Sequence, residues 1–202
     1  KVVLVTGGSS GIGKSIANYL NSKNGFIVYG TSRNLKNLTN VNFHPLKLDV
    51  SSEVSIKKCI DHIIEVHGKI DVLINNAGVG ITGPLEEIPS TEIEKHFKTN
   101  LYGPINLIKQ VLPYMRAENR GLIINITSIA AHIGTPYRSV YSAGKSSLDI
   151  ISETLSMEVK DFNILINEKI ILKSIKPVII AGGGIKYNAK YKEVIKLAEL
   201  CN

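Results

Sequence analysis

The sequence predicts an α/β fold, a doubly wound parallel sheet with helices on both faces. Short, continuously apolar runs rich in Val and Ile are typical of strands buried on both faces of a sheet. Five such runs occur by residue 126, and they alternate with longer stretches whose apolar residues recur at helical spacing. With 202 residues, 44% hydrophobic and 20% charged, the composition is that of one globular domain.

The first strand, residues 2–5, runs into a glycine-rich turn and then a helix over residues 14–20. Glycines at 7, 11 and 13 give G-x-x-x-G-x-G, which differs from the common G-x-G-x-x-G fingerprint. Such a turn lets the backbone approach a pyrophosphate at a helix N-terminus, although it could also be an ordinary tight turn. We expect it to bind cofactor phosphates through Gly7, Ser9, Ser10, Gly11, Ile12 and Gly13.

The second predicted strand, residues 25–33, ends in Ser32 and Arg33. In a doubly wound fold this strand end faces the adenosine ribose, where a carboxylate would select NAD. Ser32 and Arg33 occupy that place instead, and a guanidinium pairs with phosphate through two hydrogen bonds. The pattern favours NADP(H), with NAD(H) as the alternative; Arg33 could also be a plain surface residue.

Two further strands are predicted over residues 41–50 and 70–74. Asp49 closes the first of them, and it either bonds the adenine amino group or only terminates the strand. A helix follows, with its buried face marked by Ile56, Ile60, Ile63 and Ile64. The fourth strand leads into an Asn-Asn-Ala-Gly segment whose small residues can lie under a flat cofactor. The residues expected at the cofactor here are Asp49, Val50, Asn76, Ala77 and Gly78.

A long helical region is predicted over residues 91–112, and Pro104 predicts a break in it near Asn100. A fifth strand covers residues 121–126 and leads to Ser128, and a helix covers residues 141–159. Together these elements predict a Rossmann-type sheet.

Tyr141 and Lys145 lie four residues apart, so their side chains share one face of the last helix. A free tyrosine has a pKa of about 10, and an adjacent ammonium favours the phenolate, which suits acid–base catalysis. Such a pair alone is common at surfaces. Ser128 changes the interpretation because it adds a hydroxyl at a strand's carboxyl end, where a substrate oxygen would sit.

Five motifs in order resemble the short-chain dehydrogenase/reductase family over about residues 1–164. They are T-G-x-x-x-G-x-G at 6–13, N-N-A-G at 75–78, Asn100, Ser128 and Y-x-x-x-K at 141–145. The resemblance implies an oxidoreductase that interconverts an alcohol and a ketone or aldehyde by hydride transfer with NADP(H). It also implies a homodimer or homotetramer, as is frequent in the family.

The resemblance implies a role for each residue of the site. Tyr141 would exchange a proton with the substrate oxygen, and Ser128 would orient that oxygen. Lys145 would bind the nicotinamide ribose and tune Tyr141. Asn100 would hold a water molecule that connects Lys145 to solvent. Tyr141 and Lys145 therefore belong to both the catalytic and the cofactor-binding sets.

Residues 165–202 depart from the family pattern, because no Pro-Gly turn or substrate lid follows. A new apolar strand at 178–181, three glycines and a helix at 189–200 resemble the start of the central domain of thiamine-diphosphate-dependent enzymes. The segment either completes the sheet edge of the same domain or marks a junction or frame change between unrelated coding segments. We favour the second interpretation. The substrate pocket would then be incomplete, leaving a non-catalytic dinucleotide-binding protein or a fragment of a thiamine-dependent enzyme as alternatives.

The net charge of +7 does not indicate a nucleic-acid partner, because the lysines are scattered and form no basic motif. No run approaches the ~20 apolar residues of a membrane span. The first residues are a core strand rather than a signal peptide, and two isolated cysteines fit a reduced compartment. We therefore expect a cytoplasmic protein without a metal site.

Overall fold

The structure is a computed structural model, and it describes residues 1–167. Within them six strands form one sheet in the order β3-β2-β1-β4-β5-β6, with every adjacent pair parallel. The strands are β1 Val2–Val5, β2 Ile27–Ser32, β3 His44–Lys47, β4 Val72–Asn75, β5 Gly121–Asn125 and β6 Ile164–Asn167. The strand order reverses between β1 and β4, and ligands bind at such a switch point in open α/β sheets. The predicted fold class is confirmed.

The same part of the chain contains five α-helices. They are α1 Gly11–Asn21, α2 Glu53–His67, α3 Ser90–Phe97, α4 Gly103–Ala117 and α5 Ser139–Glu158. Short 3-10 turns occur at Leu35–Asn37, Leu85–Glu87, Ile129–Ala131 and Lys160–Phe162. Among residues 1–167 we find no helix with both the length and the apolar character needed to cross a membrane.

Hydrophobic packing on both faces of the sheet follows from the alternation of side chains along each strand. Val2 and Leu4 of β1 belong to one core cluster, which also contains the buried residues of α2 and α4. Val3 and Val5 belong to a second cluster, which contains the apolar face of α1. The predicted buried face of α2 is confirmed, since Ile56, Ile60 and Ile63 are all buried and Ile64 packs beside them.

The predicted break near Asn100 is confirmed as a π-helical turn, Lys98–Tyr102, between α3 and α4. Pro104 lies in the first turn of α4, directly after this helical turn, and because it has no N–H it interrupts the helical hydrogen bonds there. The predicted end of the helix at residue 112 is too early, because α4 continues to Ala117 with Pro113 inside it. Met115 is buried beyond that proline, so packing against the core carries the helix onward.

The third strand is shorter than residues 41–50, because β3 covers only His44–Lys47. Leu48 and Val50 are buried without belonging to the strand, so their apolar character reflects core packing after its end. At the other edge, β6 covers Ile164–Asn167, so the sheet continues past residue 164, where the motif resemblance ended. The tail lies outside the described residues. The structure therefore does not describe the strand, glycine turn and helix predicted there, nor the segment that resembles a thiamine-dependent enzyme.

A buried polar chain fixes α5 to the sheet. Asn75 and Asn125 face each other at the carboxyl ends of β4 and β5, and Asn75 Nδ2 donates to Asn125 Oδ1 over 2.8 Å. Asn125 Nδ2 in turn donates to Ser152 Oγ over 2.7 Å. All three residues are buried, so these two bonds are shielded from water, while Asn75 Oδ1 has no hydrogen-bond partner among the described residues. The chain holds the helix that carries Tyr141 and Lys145 against the carboxyl edge of the sheet.

Candidate functional site

The glycine-rich turn presents the N-terminus of α1 at the carboxyl end of β1. Ser10 stands at the N-cap, yet its side chain does not bond the first turn of the helix. Gly11 has a φ of +54°, and a Cβ added to it would meet no atom within 4 Å. Gly13 is enclosed, since a Cβ there would clash with the Gly7 carbonyl and the Asn76 amide. The turn is thus packed against Gly7 and Asn76 on the Gly13 side and has free space on the Gly11 side, where an anion could approach the main chain.

Thr6 joins this turn to the segment after β4. Its Oγ1 accepts the main-chain N–H of Asn76 over 3.0 Å and that of Ala77 over 2.9 Å. Asn76 Nδ2 donates back to the Thr6 carbonyl over 2.9 Å. Thr6 is 1% exposed, so these bonds are shielded from water. Both loops at the switch point are therefore held as one unit.

Substituting Thr6→Val should lower the free energy of unfolding by about 2 kcal/mol, because two main-chain N–H groups lose their acceptor while the side-chain shape is kept. NADPH affinity should fall as well, since both loops loosen. Urea unfolding and fluorescence titration with NADPH measure the two effects. Thr6→Ser is the matched control, because it keeps the hydroxyl. A Thr6→Val variant that keeps wild-type stability and NADPH affinity would show that these hydrogen bonds do not hold the two loops.

A cavity of about 540 Å³ lies along the carboxyl ends of β1 to β4. The predicted cofactor residues that line it are Gly7, Ser9, Ser10, Ser32, Arg33, Asp49, Val50, Asn76, Ala77 and Gly78. Gly11, Ile12 and Gly13 lie next to it in the first turn of α1, whereas Tyr141 and Lys145 are not part of its lining. Lining residues that the sequence did not single out are Thr31, Asn34, Asn37, Leu48, Val79 and Thr99.

The β2 end of the cavity carries two opposite charges, each on a residue that follows a strand, Arg33 after β2 and Asp49 after β3. Arg33 is exposed there, and the neighbouring Ser32 is buried, with its Oγ accepting the N–H of Asn34. Asp49 lines the cavity, but its Oδ1 already accepts from the main-chain N–H of Ser51 over 3.0 Å and its hydroxyl over 2.6 Å. Asp49 thus closes a turn, and the predicted adenine contact remains a prediction.

Asn100 fixes the wall at the other end of the cavity. Its Nδ2 donates to the carbonyl of Val79 over 2.8 Å, and its Oδ1 accepts the N–H of Val79 over the same distance. Asn100 is 1% exposed and lies in the π-helical turn. Nδ2 also lies 3.3 Å from each ring nitrogen of His96. One amide proton of Asn100 is therefore committed to the Val79 carbonyl, and the amide packs against the His96 ring.

Lys145 and Tyr141 lie on α5 beside this group. Lys145 is 7% exposed, and its Nζ donates to the carbonyl of Ile126 over 2.7 Å. Burial lowers the pKa of Lys145 to about 8. The Tyr141 ring is half-buried, 5.9 Å from the His96 ring between centroids. The structure thus gathers Asn100, Tyr141 and Lys145 around His96.

Ser128 follows β5 two residues after the carbonyl that holds Lys145. It is 8% exposed, and its Oγ accepts the N–H of Ala130 over 3.2 Å, which starts a 3-10 turn. Since a hydroxyl that accepts one bond still has its own proton, Ser128 can donate to a substrate oxygen. No group of three His, Cys, Asp or Glu side chains suited to a metal ion occurs within residues 1–167.

Sequence reasoning missed three residues that build this site, namely Thr6, Val79 and His96. Thr6 was part of the glycine motif, so its position between strand and turn could have indicated a hydroxyl bridge. Val79 acts through its main chain, which leaves no signal in the residue type. His96 is a single histidine on a helix, and nothing in the spacing relates it to α5. These contacts depend on tertiary packing.

Comparison with known proteins agrees with the fold and motifs. A family model described as short chain dehydrogenase matches residues 1–176, which extends past residue 164. A 3-ketodihydrosphingosine reductase from Bacteroides thetaiotaomicron is 46% identical over 165 residues, covering 81% of this chain and 60% of that protein. The chain spans 57% to 60% of the length of that reductase and of human retinol dehydrogenase 8.

Solved structures show the same architecture. ElxO with NADP bound superposes with a TM-score of 0.78 at 32% identity, covering 83% of this chain and 71% of that one. A NAD+-bound xylitol dehydrogenase superposes with a TM-score of 0.76 at 29% identity, covering 83% and 68%. Because the family model covers most of the sequence and the sheet agrees with these structures, the chain belongs to the short chain dehydrogenase family.

Proposed function

We propose that the chain is an NADP(H)-dependent oxidoreductase that interconverts an alcohol and a ketone or aldehyde. The observation that carries the proposal is that Tyr141, Lys145 and Asn100 lie together around the buried His96 ring, next to the end of the cavity. A tyrosine beside a buried ammonium is suited to exchange a proton with a substrate oxygen. Ser128 retains a hydroxyl proton at the same edge of the sheet.

Each residue has a role in this proposal. In the reducing direction the Tyr141 hydroxyl gives its proton to the carbonyl oxygen, and the Ser128 hydroxyl donates a hydrogen bond that orients it. The Lys145 ammonium supplies positive charge that stabilises the phenolate left behind. Asn100 holds the main chain of Val79 at the wall of the cavity. When bound, the nicotinamide cofactor supplies the hydride.

The cavity fits a dinucleotide, and its lining favours NADP(H). The first turn of α1 is open toward the cavity and suits a pyrophosphate, which the uncapped helix N-terminus attracts. Arg33 lines the cavity just after β2, the strand whose end faces the adenosine ribose in doubly wound folds, and a guanidinium can bind a 2′-phosphate through two hydrogen bonds. Of the two solved neighbours above, one binds NADP and the other NAD+, so the preference rests on Arg33.

Arg33→Ala should weaken NADPH binding by about tenfold to a hundredfold, because hydrogen bonds to charged groups contribute about 1.5–3 kcal/mol. NADH affinity should change by less than about twofold, since NADH has no 2′-phosphate. Isothermal titration calorimetry with both nucleotides measures the difference. Lys36→Ala is the matched control, because Lys36 is an exposed cation three residues further that does not line the cavity. Equal weakening by both variants would assign the effect to net charge.

The direct test of the proposed function is NADPH consumption with a panel of ketones and aldehydes. The panel should begin with 3-ketodihydrosphingosine, because the Bacteroides relative is a reductase of that name. Turnover that depends on NADPH supports the proposal. A non-catalytic dinucleotide-binding protein is the second candidate, because Tyr141 and Lys145 do not line the cavity. It predicts NADPH binding without turnover of any carbonyl.

We also propose that the protein forms homodimers or homotetramers through helical faces. Ile150 and Met157 on α5 are each 61% exposed, and apolar side chains repeated along one helix suit self-association. Sedimentation equilibrium measures the assembly state.

A further inference from the structure

Arg138 is a half-buried cation beside the tyrosine that the proposed reaction uses. It stands at the N-cap of α5, three residues before Tyr141. Its guanidinium carbon lies over the Tyr141 ring, 5.2 Å from the ring centre. The side chain also reaches the loop after β4, since a Cβ added to Gly80 would lie 4.0 Å from Arg138 Nη1. Gly80 directly follows Val79, which lines the cavity, so the guanidinium lies just beyond this end of the cavity.

The main chain before Arg138 is held in an unusual conformation. Tyr137 has a φ of +64°, whereas the other non-glycine residues with positive φ within residues 1–167 are all asparagines. Asparagine tolerates this region, but a bulky side chain there indicates strain, which is concentrated at functional sites. The Gly83 N–H donates to the Tyr137 carbonyl over 3.0 Å, and the Arg138 N–H donates to the Thr135 carbonyl over 3.2 Å. These bonds join the two loops and fix the place of Arg138 beside Tyr141.

The Arg138 guanidinium keeps donors that its described surroundings do not use. A guanidinium has five N–H donors and no acceptor. Arg120 is the one arginine whose side chain forms a hydrogen bond or an ion pair with another of residues 1–167, and it does so with Asp71 over 2.8 Å. The Tyr141 ring attracts the charge of Arg138 but supplies no oxygen acceptor for its N–H groups. The donors of Arg138 are therefore available to a ligand.

We propose that Arg138 is a specificity-determining residue, and that the carbonyl substrate carries a carboxylate close to its carbonyl group. The inference rests on the proposed function, because it names the substrate class of that site. When a carbonyl oxygen lies at the Tyr141 hydroxyl, a carboxylate on the same molecule can reach the guanidinium. Arginine binds carboxylates through two parallel hydrogen bonds, which adds geometric selectivity to the charge. A ketone with an ammonium group in that position would be repelled.

A purely structural role for Arg138 has a different consequence. If the guanidinium only supports the Tyr141 ring, its removal disturbs the proton donor for every substrate. Neutral and anionic ketones would then lose activity to the same extent. If the guanidinium binds a substrate carboxylate, its removal also changes the ratio between the two kinds of ketone. That ratio is therefore the quantity to measure.

The test uses the whole chain, NADPH and three ketones of similar shape, namely para-acetylbenzoate, its neutral amide para-acetylbenzamide and the cationic para-acetyl-trimethylanilinium. The wild-type chain should have its highest kcat/KM with the acid and its lowest with the cation. The cation stands for amino ketones such as 3-ketodihydrosphingosine, which the inference disfavours. Arg138→Met should lower the ratio of acid to amide by about tenfold to a hundredfold. Arg138→Lys should retain part of the preference, because the charge remains while the two-bond geometry is lost.

Arg116→Met is the matched control. The Arg116 guanidinium also lies over an aromatic ring, 5.1 Å from the centre of Phe162, but it belongs to the end of α4 that leads into β5, at the opposite edge of the sheet. This variant should keep the wild-type ratio. An Arg138→Met variant that loses acid and amide reduction equally would overturn the inference. A wild-type chain that reduces the amide as well as the acid would overturn it too.

A second readout needs no turnover. Isothermal titration calorimetry of para-acetylbenzoate with the NADP+-loaded chain measures binding alone, since NADP+ has no hydride to give. The Kd should be about tenfold to a hundredfold weaker in Arg138→Met than in wild type, and circular dichroism shows whether the variant is folded. If the wild-type chain reduces no ketone but binds the acid through Arg138, the proposed function fails and the inference stands. Equal binding of the acid by both chains, or no binding by wild type, would overturn the inference separately.

Discussion

Substituting Tyr141→Phe should reduce kcat for NADPH-dependent carbonyl reduction by about a thousandfold, because a positioned general acid contributes about 10²–10⁴-fold. The Kd of NADPH should stay within about threefold. The substitution removes one oxygen and leaves the ring in place. The ring makes the packing contacts, with His96 at 5.9 Å between centroids and the Arg138 guanidinium at 5.2 Å from its centre. The loss should therefore appear in the chemical step rather than in stability.

Steady-state kinetics and NADPH fluorescence titration separate these two effects. Tyr114→Phe is the matched control, since Tyr114 is a half-buried tyrosine of α4 that packs on the core away from the cavity. It should leave kcat unchanged. A Tyr141→Phe variant as active as wild type would show that the proton comes from another group. A wild-type chain that binds NADPH without turnover would instead favour the non-catalytic alternative.

The carboxyl ends of the strands could be assigned from sequence because parallel strands bring their ends to one edge of the sheet. Ser32, Asn76 and Ser128 each follow a short apolar run, so the register of the sheet alone places them together. Asn100 was found through a motif, and Pro104 located the irregular turn around it. In these cases one local signal, a strand end or a proline, determined the position.

The remaining features depend on distances that no local pattern encodes. Thr6 meets Asn76 across 70 positions of the chain. His96 meets α5 only because Gly144 leaves room for its ring. The end of α4 was misjudged for a related reason, since a proline suggests a stop while burial of Met115 keeps the helix going. These contacts and the end of α4 are determined by close packing between elements, which cannot be predicted from composition or local pattern.

Lys145→Met should abolish reduction and yet stabilise the folded chain at neutral pH. Burial lowers the pKa of Lys145 to about 8 from its ordinary 10.5, which means that folding disfavours the ammonium. Below pH 8 both the folded and the unfolded chain carry this proton, so the full cost of burying the charge is present. The shift corresponds to roughly 3 kcal/mol at most. Methionine has a similar shape and no charge, but it leaves the Ile126 carbonyl without its donor.

The net gain for Lys145→Met should therefore be about 1–2 kcal/mol at pH 7, measured by urea unfolding. Between pH 8 and 10.5 the unfolded chain binds more protons than the folded chain at this position. Wild-type stability should rise with pH across that window, and the advantage of the methionine variant should shrink. Lys109→Met, at an exposed position of α4, should change stability by less than about 0.5 kcal/mol. A methionine variant less stable than wild type at pH 7 would mean that the Ile126 hydrogen bond outweighs the burial of the charge.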